Sequence, residues 1–132
     1  MNTLKGIVEE VSANGSLSLV RINVGDLDFS AIVIETPESA DYLSVGADIK
    51  VIFKETEVVI GKGSDHNISL QNRIPGTINT LESGELLSKI TIDSAIGDIQ
   101  SIVTSNAVKQ LQLEVGSEVT AMIKTNEIML SP

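Results

Sequence analysis

Ile68-Ser69-Leu70-Gln71-Asn72-Arg73-Ile74-Pro75-Gly76-Thr77-Ile78 is the stretch where the chain begins to repeat itself. Shifting the numbering by 70, the offset between Gly6 and Gly76, lays the second half over the first. Gly46 then falls on Gly116, Lys54 on Lys124 and Glu57 on Glu127. The apolar series Ile49, Val51, Phe53, Val58, Ile60 falls on Val119, Ala121, Ile123, Ile128, Leu130. A repeat of this period means two related units in tandem. The expected division is a first module at 1–61, a linker at 62–67 that is rich in glycine and small polar residues, and a second module at 68–132.

A unit of roughly 60 residues buries too little surface to be comfortably stable alone. The modules are therefore expected to pack on each other, on further copies of the chain, or both. Hydrophobic residues make up 42% of the 132, yet aromatic residues only 2%. The core must then be Val, Ile and Leu, which favours strands.

The net charge of −9 argues against nucleic-acid binding, which needs basic surface to displace counterions. One Tyr, two Phe and no Trp also leave no stacking platform for single strands. The absence of Cys rules out disulfides, thiolate nucleophiles and thiolate metal sites. No stretch reads as a secretion signal or a membrane span, so the expected address is cytoplasmic. His66, the lone histidine, lies in the linker and reads as solvated. No carboxylate pair has a setting suited to acid–base work, so the chain does not read as an enzyme.

Within the first module the strands read as Leu4–Val11, Leu17–Val24, Leu27–Ile34, Asp48–Phe53 and Glu57–Ile60. A register change is expected near Leu19–Val20, and a tight connection at Glu55-Thr56. Thr36-Pro37-Glu38-Ser39 reads as a helix start capped by Thr36, with the helix ending near Leu43. The second module repeats the plan: strands at about Ile74–Leu81, Leu86–Asp93, Ile96–Val103, Glu118–Ile123 and Glu127–Leu130, with a short helix at about Ser105–Leu111. Five short strands with a helix after the third describe an all-β protein of two tandem OB-like Greek-key barrels. An immunoglobulin-like sandwich is the alternative, but it needs more strands.

The series Ser69-x-Gln71-Asn72-x-Ile74-x-Gly76-x-Ile78 resembles the opening of the molybdate-binding TOBE or Mop domains, whose pattern has Arg where Gln71 stands. Ile102-Val103-Thr104-Ser105 with Leu111 resembles the middle of that pattern. Val115-Gly116 through Lys124-Thr125 to Ile128 resembles its close. The tandem arrangement is similar to the molbindins. The resemblance implies an OB-like fold that binds molybdate or tungstate as an oxyanion, with no other cofactor, for molybdenum storage or homeostasis. It also implies sites shared between subunits of a homo-oligomer, a trimer above all. The alternative it allows is the ligand-sensing region of a molybdate-responsive transcription regulator or of a transport ATPase.

Carried over residue by residue, the resemblance points to Ser69, Gln71, Asn72, Thr104, Ser105, Lys124, Thr125 and Lys54 as oxyanion-binding residues. Their chemistry fits. Molybdate is a tetrahedral dianion with acceptors only, so its site should present donors only: hydroxyls, amides, an ammonium and backbone N–H groups. Each residue has a plainer reading as well. Lys54 and Lys124 suit strand ends, Ser69 and Asn72 suit turns, and Thr104 and Ser105 suit a helix cap. The first module departs from the pattern: Asn2 stands at the place of Asn72, Ser69 has no counterpart, Ile34 replaces Thr104 and Glu55 replaces Thr125.

Overall fold

Alternation of β-branched residues along both modules produces ten strands, and the computed structural model describes all 132 residues. The strands are β1 (Asn2–Asn14), β2 (Leu17–Val24), β3 (Leu27–Val33), β4 (Asp48–Phe53) and β5 (Val59–Lys62) in the first half. The second half has β6 (Asn72–Ser83), β7 (Leu87–Ser94), β8 (Gly97–Thr104), helix α1 (Ser105–Leu111), β9 (Glu118–Ile123) and β10 (Met129–Ser131). Single 3-10 turns at Glu55–Glu57 and Thr125–Glu127 precede β5 and β10.

These strands form two antiparallel five-stranded sheets, ordered β10-β4-β1-β2-β3 and β5-β9-β6-β7-β8. The last strand of each half therefore lies in the other half's sheet. β5 pairs with β9 from Val59↔Met122 to Lys62↔Val119. β10 pairs with β4 from Met129↔Ile52 to Ser131↔Lys50. The connection at Glu55-Thr56 is tight, a single 3-10 turn, but it does not fold the chain back on itself. A two-residue hairpin wants positive φ at its centre, and no residue from Lys54 to Val58 has it. Lys54 and Val58 are both extended, so the chain crosses over instead of folding back. The division into 1–61 and 68–132 describes the repeat in the sequence; in space the two units interleave.

The exchange makes one core out of two. A single cluster of 25 buried residues spans both halves, and repeat-related pairs recur in it: Val20 and Ile90, Ile22 and Ile92, Phe29 and Ile99, Phe53 and Ile123. Val58, Ile60 and Ile128, carried by the crossing segments, belong to the same cluster.

The expected register change near Leu19–Val20 does not occur in β2. Ser18, Val20, Ile22 and Val24 all point inward there, while Leu17 and Leu19 are exposed. The irregularity is in β1 between Val8 and Glu10, and again in β6 between Ile78 and Thr80. A bulge there bends a long strand so that one part pairs with β4 and the next with β2. Gly6 and Gly76 sit just before the bend. A Cβ on Gly76 would lie 2.5 Å from Ile92 Cγ2 and 2.6 Å from the Asp93 carbonyl oxygen, so only glycine fits.

Helix α1 forms as expected, and Thr104 Oγ1 caps it by accepting from the Ala107 N–H at 3.1 Å. No helix forms at Thr36–Leu43, so one short helix per module is corrected to one in the whole chain. Ser39 and Ser44 compete for the backbone there. Ser39 Oγ accepts from the Thr36 N–H and donates to the Thr36 carbonyl, reversing the expected cap. Ser44 Oγ donates to the Asp41 carbonyl.

The linker is partly absorbed into β5, which runs through Lys62. His66 is not solvated as expected. Its ring lies over Gly61, where an added Cβ would be 2.7 Å from it, and beside Met122. Gly63 N–H donates to the Glu118 carbonyl at 2.8 Å, tying the linker to β9.

Candidate functional site

The eight residues expected to bind an oxyanion do not gather in one place within the chain. Asn72 is buried, and its amide is fully engaged. Oδ1 accepts from Ser30 N–H at 2.7 Å, while Nδ2 donates to the Ser30 carbonyl at 2.9 Å and to the Ile123 carbonyl at 3.1 Å. Asn2 makes the same clasp on the opposite sheet: Nδ2 donates to the Gln100 carbonyl and Oδ1 accepts from Gln100 N–H, both at 2.8 Å. Ser30 and Gln100 are themselves repeat equivalents. These asparagines join the two sheets, and the Asn72 amide has no donor left for a ligand. The shared Asn2/Asn72 position is legible in the sequence as part of the repeat; its sheet-joining role is not.

Ser105 is also committed inward. Its Oγ donates to the Gly84 carbonyl at 2.7 Å and shares a 2.8 Å hydrogen bond with Ser88 Oγ. With the Ser105 proton given to Gly84, Ser88 is the donor in that pair. In the first half Glu35 stands at the repeat position of Ser105, and the hydroxyl of Ser18, equivalent to Ser88, is buried without a partner. Glu35 instead accepts from the Tyr42 hydroxyl. Burial, then that hydrogen bond and the Glu35 charge, push the Tyr42 phenol up to about 12.

Thr104 faces a different neighbourhood. It borders a groove of about 520 Å³ between β5 and β8, lined by Val59, Ile60, Leu87 and Ile102. A repeat-related groove of about 300 Å³ lies between β3 and β10, lined by Ile32, Ile34 and Met129. The first is mostly apolar, while the second mixes apolar and polar surface and includes Glu35 and Asn126.

Lys54 lies beside Glu55, whose carboxylate pairs with the Met1 ammonium. The hydrogen bond from that ammonium holds the Glu55 carboxyl below the usual range.

Gln71 and Lys124 come to neighbouring strand ends of the second sheet, and Thr125 follows Lys124. Asn72 pairs with Ile123, so Gln71 and Lys124 leave adjacent strand ends on the outward face. Both are exposed, as is Ser69, and Thr125 is half-buried at the start of the 3-10 turn. The approach to β6 is shaped by Arg73, which sequence reasoning passed over. Its Nε donates to the Leu70 carbonyl and its Nη2 to the Ile68 carbonyl, each at 2.8 Å. The signal was its place two residues after Gln71, hence on the same strand face.

Between the two 3-10 turns, the repeat-related carboxyls of Glu57 and Glu127 lie close enough for a hydrogen bond once one of them is protonated. That bond, then partial burial and the Glu127 charge, raise the Glu57 carboxyl above its usual value, and Lys54 opposes them. A folded value above the unfolded one stabilises the protein below the ordinary carboxylate range. The contribution is lost as pH rises through the folded value. Replacing Glu127 by Gln is therefore expected to raise the melting temperature near neutral pH. The difference should shrink toward about pH 4. Thermal melts across that window check it; a Glu127→Gln gain independent of pH would remove the shared proton.

The sequence pattern of the TOBE domain matches residues 68–130. The molybdenum-pterin-binding protein MopB of Rhodobacter capsulatus is 27% identical over 127 residues, 94% of this chain, and the chain spans about half, 47%, of that protein's length. A probable molybdenum-pterin-binding protein of Haemophilus influenzae is 38% identical over 64 residues, 48% of this chain and 93% of that one. The solved structure of the cytoplasmic molybdate-binding protein ModG, with molybdate bound, superposes with a TM-score of 0.91 at 28% identity. The match covers 98% of this chain and 94% of that one. The chain belongs to the TOBE-domain family of molybdenum-pterin-binding proteins.

Proposed function

We propose that this protein binds molybdate, or tungstate, as the tetrahedral oxyanion and serves molybdenum storage or homeostasis in the cytoplasm. The observation that carries this reading is the register Asn72↔Ile123, which brings Gln71 and Lys124 to adjacent strand ends of β6 and β9, with Lys124 in no ion pair. The likeness to ModG with molybdate bound runs through the whole tandem and supports the same conclusion. The relatives are named for binding and not for catalysis, which supports a binding role here. ModG matches over nearly its full chain, so a two-module binding protein is favoured over the sensing region of a regulator or transporter.

Thr104 would reach such a site only from a neighbouring subunit, as would a further hydroxyl or backbone donor. The apolar groove between β5 and β8 suits that association, and Ile34 and Leu86 are each 81% exposed. A homo-oligomer, with a trimer first among the possibilities, completes the reading. Each sheet with its exchanged strand is taken as a partly open OB-type Greek-key barrel. Its support is the strand order and the neighbouring of β3 and β10 across their groove.

Calorimetric titration with molybdate, tungstate, sulfate and phosphate tests the function. Heat from the two larger anions is expected; silence, or heat from sulfate alone, overturns it. Lys124→Ala should weaken molybdate binding about tenfold or more, because a hydrogen bond to a charged group is worth ~1.5–3 kcal/mol. Unchanged affinity would remove Lys124 from the site. The native mass with and without molybdate checks the assembly.

A further inference from the structure

The donor end of the second sheet is short of positive charge. Ser69, Gln71 and Thr125 are neutral, so Lys124 alone would meet a dianion in a chain of net charge −9. The family pattern places an arginine where this chain has Gln71. We propose that Arg73 supplies that missing cation and at the same time fixes the loop bearing Ser69, a role that rests on the oxyanion reading above.

Three observations converge. First, strand alternation puts Arg73 on the same outward face as Gln71. Arg73 stands opposite Met122, and Lys124 lies two residues beyond Met122. Arg73 and Lys124 are thus diagonal neighbours, about 7–8 Å apart at their Cα atoms and within mutual reach of one small anion.

Second, the guanidinium is held in place with donors to spare. Its bonds to the Ile68 and Leu70 carbonyls use two of its N–H groups. A guanidinium carries five, so three remain. A side chain already pinned loses little further freedom when an anion arrives. The same two bonds brace the segment on which Ser69 lies.

Third, both cations lack a competing carboxylate. The ion pairs of the chain are Met1–Glu55, Arg21–Glu10 and Arg21–Asp28. At the repeat positions of Arg73 and Lys124 the first half has no such pair of cations. Thr3 occupies the repeat position of Arg73, and Lys54 has Glu55 next to it. The repeat-related position in the first half therefore lacks this pair of cations.

The test is calorimetric titration of the whole chain with molybdate, using wild type, Arg73→Ala, Arg73→Lys and the double variant Arg73→Ala/Gln71→Arg. Arg73→Ala is expected to bind about tenfold more weakly or worse, since charge-assisted hydrogen bonds are the strong ones. Arg73→Lys should recover part of the loss, keeping the charge but not the fork. The double variant should recover most of it, because the cation returns at the family's own position. Amide exchange at Ser69 and Leu70, measured without ligand, should quicken in Arg73→Ala and stay fast in the double variant. Arg73→Ala binding like wild type overturns the proposal. Failure of Gln71→Arg to restore affinity also overturns it, leaving Arg73 as a brace without charge in the site. Absence of molybdate heat with wild type overturns the oxyanion reading itself, and this inference with it.

Discussion

Expressed apart, residues 1–66 and 67–132 are each expected to fail as folded monomers and to recover strand structure when mixed. Each half lacks the strand that completes its own sheet and carries one built for the other. β5 covers β9, and β10 covers β4. The side chains involved decide the size of the effect. Val58, Ile60 and Ile128 are buried in the shared core, and burying one such side chain is worth ~1.5–3 kcal/mol. Three of them make roughly 5–9 kcal/mol, an upper estimate because unfolded chains already bury some surface. That is comparable with the ~5–15 kcal/mol that holds a typical domain folded. The Ser101 Oγ–Val58 carbonyl bond at 2.9 Å, made between the halves, is lost as well. Native mass and circular dichroism should show unfolded or self-associated halves and a one-to-one complex on mixing. A monomeric half that melts cooperatively would contradict the exchange.

Much of this architecture can be read from the residues. Period-two alternation of Val and Ile marks the strands, and the offset of 70 marks the repeat. Thr104 ahead of Ser105–Leu111 marks the helix, because a cap is a local interaction with a local signature. The partner of the fifth strand is another matter. Val59–Lys62 has the same pattern whichever sheet it joins, and only the φ values between Lys54 and Val58 decide. The missing first helix turns on Ser39 and Ser44 outcompeting helix bonds, a balance of small energies that the sequence does not display. The site was legible as a set of donors but not as a place. Ser105 and Asn72 have the right chemistry for an anion, yet the interior claims both, since buried polar groups must find partners.

Asn72→Asp is expected to destabilise the protein strongly near neutral pH and to recover part of the loss in acid. The two side chains have the same shape, so packing is unchanged and the hydrogen bonds alone are tested. An aspartate oxygen can still accept from Ser30 N–H, as Oδ1 of Asn72 does at 2.7 Å. The other oxygen would face the carbonyls of Ser30 and Ile123, which now receive Nδ2 donors at 2.9 and 3.1 Å. Acceptor would meet acceptor in the interior, and a charge would be buried without a counter-ion. Leaving a buried group unsatisfied costs ~1–3 kcal/mol, more when charge is involved, and two carbonyls are left here. A total loss of roughly 3 kcal/mol or more follows. The introduced carboxyl would have its folded pKa raised by burial and by those carbonyls. Its neutral form therefore stabilises the fold below about pH 4, the ordinary aspartate value, where one proton can again bridge to a carbonyl. That benefit disappears as pH rises through the raised value. Asn2→Asp should behave likewise but with a smaller loss, because Asn2 makes two bonds, both to Gln100, while Asn72 makes a third, to Ile123. Denaturant unfolding of both variants across pH gives the comparison. Equal losses that do not change with pH would mean that the clasps do not hold the two sheets together through these hydrogen bonds.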